Sequence, residues 1–310
     1  MRQHPRNRFL AAGSGLASVL LLGFTGCGSE SPDRTVVVPE PGTSASGSAG
    51  AGTTATGPTT AATTDTKKAG AGPARQVVEG FGTLKGTIVY GGDPPERLVQ
   101  IPQGKASKDP TVCAAGEPIL SNYLVVNPEN RGVANVLVYI PKPTAISPEA
   151  VVEDPEVIFD QENCIFFPHV LAVQKGGKIR ITSSDSVSHN VNVGLRTINF
   201  NQSLNPGQEV TLDAQYEERS PGEVVCDIHP WMKAWWMVID SPYFAVTDEN
   251  GAFEIPNVPA GTQDVMVWHE GTGFIGGARG RPIDIEPDGE TDISDQYEID
   301  PASVRPEPGR

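Results

Sequence analysis

The chain has 310 residues and a formal net charge of −15 at pH 7. That acidity excludes nucleic acid as a partner, since its phosphates would be repelled. Beyond the first residues no run is apolar for long enough to span a bilayer.

Arg2, Arg6 and Arg8 form a basic lead into the apolar, small-residue stretch from Leu10 to Phe24, a targeting segment rather than part of a fold. It ends in Phe24-Thr25-Gly26-Cys27, which resembles the lipobox of bacterial lipoproteins. The resemblance implies lipidation of Cys27 and a mature protein held by its lipid at the cell envelope, on the periplasmic or another extracytoplasmic face. An ordinary cleaved signal peptide with an incidental cysteine is the alternative. After residues 1–27 as signal, residues 28–75 are mostly Gly, Ser, Thr, Ala and Pro, and this tract cannot bury enough apolar surface to offset chain entropy. It is expected as a flexible tether with a reach of roughly 35–40 Å.

From Gln76 onward enough chain remains for one large or two small domains. The pattern is strand after strand, with Val, Ile, Thr and aromatic runs broken by Gly, Pro, Asn and Asp. Within a region 76–150 of open assignment, Leu84–Tyr90 alternates and Val136–Ile140 is a short apolar strand. Ser147 caps a short helix with Pro148 in its first turn. In the region 151–240, His169–Val173 leads through Gly176-Gly177 into Ile179–Thr182 as a hairpin, and Glu209–Leu212, Glu223–Cys226 and Trp235–Ile239 follow as strands. The region 241–298 opens with two strands, Tyr243 to Ile255, around Asn250-Gly251. Val258-Pro259-Ala260-Gly261 then turns into Val265–Trp268, and 299–310 is a tail. Many short strands with frequent turns predict an all-β protein of sandwich type.

The chemistry concentrates in Cys226-Asp227-Ile228-His229-Pro230-Trp231-Met232. A thiolate, an imidazole and a thioether fall together between two predicted strands, and Ser188-His189-Asn190-Val191 upstream offers a second imidazole. Two His and one Cys with a weak axial Met are the donor set of a blue-copper site. Such a set lies between the preferences of the two copper oxidation states, so little moves when one electron is exchanged. Pro230 fixes its own φ, restricts His229 before it and removes one N–H near the sulfur. Of the four cysteines, Cys27 is assigned to lipid, which leaves three in an oxidising compartment. Pairing Cys113 with Cys164 frees Cys226 for metal. Pairing Cys226 with either of the others removes the site, and the sequence alone does not decide.

The loop Cys226–Met232 resembles the short C-x-x-H-P-aromatic-Met loop of amicyanin-type cupredoxins, and His189-Asn190-Val191 resembles their His-Asn-Val element. The resemblance spans about Val157–Asp240. It implies a Greek-key cupredoxin β-sandwich, one copper ion on His189, Cys226, His229 and Met232, and Asn190 pinning the two ligand loops together. It further implies single-electron transfer through the exposed edge of His229 to a redox partner protein of the cytochrome c or dehydrogenase type, with no enzymatic reaction. The alternatives are a copper carrier, or a structural or binding sandwich lipoprotein. Separately, the stretch from Tyr243 through Gly261 resembles carboxypeptidase regulatory-like modules, which are small transthyretin-like β-sandwiches. Leu84–Tyr90 is a candidate first strand of that second sandwich, which would make the copper segment an insertion. His169 and His269 are read as structural, and Trp231, Trp235 and Trp236 as packing, with the alternative that an exposed Trp231 borders the electron-entry patch.

Overall fold

The computed structural model describes residues 77–307; the signal segment, Cys27 and the tether lie outside the described residues. Those described are almost entirely β, in two cores joined by a third apolar cluster.

The first core is built from both ends of the described chain. Strand Val77–Thr87 pairs antiparallel with the long strand Ala252–His269, with Leu84 opposite Ile255. From Phe81 to Tyr90 exposure alternates residue by residue, as a pleated strand with one face on a core requires. Leu137–Tyr139, just before the segment that carries His189 and Cys226, pairs with Phe244–Val246, just after it. The sheet that starts at residue 77 is thus interrupted after residue 139 and resumed at residue 244, with the ligand-bearing segment inserted between. Leu84, Val138, Ile255, Val265 and Ile283 pack inside it. The expected tail from residue 299 begins instead with a paired residue, as Ile299 lies beside Tyr90 in a short parallel ladder.

The second core lies between a five-stranded and a four-stranded sheet. The five-stranded sheet runs in the order Asn199–Leu204, His189–Gly194, Gly222–Val225, Lys233–Ile239 and Val170–Gln174. The four-stranded sheet is Val210–Asp213, Lys178–Ile181, Glu156–Glu162 and Ile165–Phe167. Phe159 and Trp236 meet edge to face across it, with ring centroids 4.8 Å apart.

Two expected hairpins form differently. Val170–Gln174 and Lys178–Ile181 do not pair with each other. The turn at Gly176-Gly177 carries the chain from one sheet to the other, where the strands pair in parallel with Lys233–Ile239 and Glu156–Glu162. The Asn250-Gly251 turn does close, with the Gly251 N–H on the Asp248 carbonyl at 3.0 Å and Gly251 at φ +74°. Yet Leu137–Tyr139 lies between the two strands that the turn joins. The predicted break at 258–261 is absent, and Ala252–His269 runs through it, with Asn257 at φ +57° and Gly261 at φ +85°. The Ser147-capped turn is a 3-10 helix, Pro148–Ala150.

The two cores meet on an apolar face. In Lys233–Ile239, Ala234, Trp236 and Val238 point into the second core, while Met237 and Ile239 pack with Val170, Ala172, Leu137, Tyr139, Met266 and Trp268. Both faces of these strands are covered, which explains the unbroken apolar run Val170–Val173.

Candidate metal centre

His189 opens one strand, Cys226 follows the next and Met232 precedes the third; the three strands are adjacent in the five-stranded sheet. The sheet therefore delivers all four sequence-predicted ligands to one edge. Two backbone hydrogen bonds close the intervening loop, Cys226 N–H to the Met232 carbonyl (3.2 Å) and Met232 N–H to the His229 carbonyl (2.9 Å). Pro230 has no N–H to compete with them. Met232 is buried in the loop.

The donor atoms converge. The Nδ1 atoms of His189 and His229 are 3.0 Å apart, and His229 Nδ1 is 3.7 Å from the Cys226 sulfur. The ligand atoms of His189, Cys226 and His229 all lie within 4.8 Å of one another, and all three residues are buried. The outer nitrogens face carboxylates: His189 Nε2 donates to Asp185 at 2.7 Å and His229 Nε2 to Asp109 at 2.9 Å. A carboxylate oxygen only accepts, so each Nε2 carries a proton, and each ring, when neutral, turns a lone pair inward from Nδ1. Two inward lone pairs and a sulfur in a buried space fit a cation that takes nitrogen and sulfur donors.

Burial opposes charge on His189, but its hydrogen bonds with Asp185 and Cys226 outweigh that and push it up to about 9. Burial likewise opposes the Cys226 thiolate, yet His189 and the backbone N–H groups of Asn190 and His229, 3.3 and 3.4 Å from the sulfur, draw its pKa down. His229 is held below the usual histidine range, mainly by burial. Without metal, these shifts favour a thiolate and an imidazolium on the Cys226–His189 pair and a neutral imidazole at His229.

Asn190 links the two ligand segments. Its side-chain oxygen accepts the Asp227 N–H at 3.2 Å, and its amide donates to Asn201 at 2.7 Å. Cys113 and Cys164 form a disulfide, with Cα atoms 5.3 Å apart, and Cys226 is free. The other cluster of metal-ligand type among the described residues, Cys164, Asp185 and His189, has its sulfur committed to that disulfide.

One expectation is corrected. His229 has no exposed edge: it is fully buried, with Asp109 over its Nε2. Trp231 is buried, as the packing reading expects, and its indole N–H donates to the Cys164 carbonyl. His169 pairs with Glu270 and donates from Nδ1 to the Lys233 carbonyl at 3.1 Å, which ties the two β regions together. Asp185 and Asp109 escaped the sequence reading. Asp185, four residues before His189, was within reach of it; Asp109, 120 residues before His229, carried no local signal.

No protein-family model matches the chain, and a search of curated proteins finds no relative. Among solved structures the likeness is to copper proteins and is partial. A copper-containing nitrite reductase from Thermus scotoductus SA-01 matches at 20% identity over 31% of this chain, with a TM-score of 0.26. The match spans only 25% of the reductase's own length. A purple cupredoxin from Nitrosopumilus maritimus matches at 23% identity over 27% of this chain and 99% of its own, with a TM-score of 0.23. Amicyanin from Paracoccus versutus matches at 14% identity over 33% of this chain and 96% of its own, with a TM-score of 0.24.

Proposed function

We propose that this protein is an extracytoplasmic, lipid-anchored electron carrier that holds one copper ion on His189 Nδ1, His229 Nδ1 and the Cys226 sulfur, with Met232 as the weak axial donor. The observation that carries this reading is the convergence of those three donor atoms, with each imidazole's outer nitrogen bound to a carboxylate. When bound, copper would supply a one-electron couple. The chain's part is to keep the donors in place through both oxidation states. The three strand ends, the loop hydrogen bonds and the Asn190 bridge do that. The N–H groups on the sulfur partly offset its charge and bear on the potential.

Transfer rather than catalysis follows from the donor set: two imidazoles, a thiolate and a thioether leave no open position for a substrate. The partner is a redox protein of the cytochrome c or dehydrogenase type, met at the cell envelope. Pro230, Trp231 and Met232 line a cleft of about 820 Å³ beside the ligand loop. With the His229 edge covered, this cleft is the docking side assigned to the redox partner.

Adding Cu(II) to the metal-free protein tests the reading. An intense blue thiolate-to-copper absorption is expected, bleached reversibly by a one-electron reductant and lost in Cys226→Ala. A colourless protein that binds no copper would overturn the proposal.

A further inference from the structure

We infer that Asp109 is a positioning residue of the metal centre, supplied by a loop outside the ligand-bearing sandwich and fixed there by the Cys113–Cys164 disulfide. This rests on the copper reading above.

The loop lies between strands Val99–Ile101 and Ile119–Leu120, far from the ligands in sequence. Asp109 sits at its tip with φ +46°, a left-handed conformation that Asp tolerates better than most residues but that still costs stability. Its carbonyl accepts the N–H groups of Val112 (2.9 Å) and Cys113 (2.8 Å), forming one tight turn. The turn aims the carboxylate at His229 Nε2, 2.9 Å away. The base of the loop is cross-tied, with Gly104 N–H on the Ala114 carbonyl at 2.7 Å.

The disulfide joins the two carboxylates that hold the two imidazoles. On one side, the Cys113 N–H is bonded to Asp109. On the other, the Cys164 N–H donates to Asp185 at 2.8 Å, and Asp185 also takes the neighbouring Asn163 N–H at 2.8 Å. One covalent bridge thus fixes both outer partners relative to each other. His189 receives its carboxylate from its own segment, while His229 depends on the loop for its own.

This assigns Asp109 three effects. It keeps the proton of His229 on Nε2, so that Nδ1 is free before metal arrives. It places a negative charge behind a ligand, which favours the more highly charged oxidation state. It also closes the edge of His229.

The test compares Asp109→Asn, which keeps an acceptor oxygen but loses the charge, with Asp109→Ala, which loses both. Glu117→Gln, an exposed change on the same loop, is the control. The Asp109 side chain is 41% exposed, so the variants should fold. In the metal-free protein, nitrogen NMR of His229 should show the Nε2-protonated ring in the wild type and in Asp109→Asn, and a mixture of tautomers in Asp109→Ala. In the copper-loaded protein both variants should have a higher midpoint potential than wild type. Asp109→Ala should also lose copper(II) affinity by roughly 10–100-fold. Replacing both disulfide cysteines by Ala should reproduce the tautomer mixture with Asp109 still present. Unchanged tautomer, affinity and potential in Asp109→Ala would overturn the inference. The tautomer experiment needs no copper, so it decides about Asp109 even if the wild type fails to turn blue.

Discussion

Copper uptake should expel one proton per ion at neutral pH. His189 is pushed up to about 9 in the metal-free site, and Cys226 is drawn down. His189 titrates well above pH 7 and the lowered Cys226 favours the thiolate, so one proton on the pair is the expected state at pH 7. A metal needs both the His189 lone pair and the thiolate, so that proton must leave. The proton competes with the metal, which makes apparent affinity rise with pH until about 9. Two pH units below that point, at pH 7, affinity should be roughly a hundredfold under its plateau, or about 3 kcal/mol at ~1.36 kcal/mol per unit. His229, whose pKa is lowered, adds nothing in this range. Calorimetric titration with Cu(II) in two buffers of different ionisation enthalpy counts the proton directly. Chelator competition should give a tenfold change in affinity per unit between pH 6 and 8. Affinity that stays flat over that range, with no proton released, would refute the reasoning.

Other consequences concern stability. The disulfide closes a segment with a sequence separation of 51, so replacing both cysteines by Ala should cost about 4 kcal/mol in chemical denaturation; an unmoved midpoint would contradict this. Met237, buried between the two cores, should cost about 2–5 kcal/mol when changed to Ala. A loss below ~1 kcal/mol would mean that this face is not packed in solution. Burial lowers His269 to about 4, so the unfolded chain binds the extra proton between about 6.5 and 4, and stability falls as pH drops through that window. The full effect is about 3 kcal/mol. His269→Asn, which can still accept the Gly271 N–H, should lose less between pH 7 and pH 4.5 than the wild type; equal losses would rule His269 out as the cause.

The ligands were legible because one loop carries three of them, and the strands around it have clear patterns. Strand partners were not. Val170–Gln174 and Lys178–Ile181 look like a hairpin because a Gly-Gly turn joins them, but each had a longer apolar face to cover elsewhere, and the chain crossed between sheets instead. The Asn250-Gly251 turn was visible, whereas the insertion of Leu137–Tyr139 between its strands depends on residues over a hundred positions away. Asp109 is the sharpest case. Nothing near it marks a ligand site, and only the folded loop brings its carboxylate to His229. Asp185 was open to sequence reasoning, since it precedes His189 by one short turn of chain.

The most direct test of the central claim is the visible spectrum of the wild-type protein titrated with Cu(II). The account predicts an intense blue band that saturates at one copper per chain, disappears on one-electron reduction, and is absent in Cys226→Ala. Saturation without the blue band, or no copper bound at all, would contradict it.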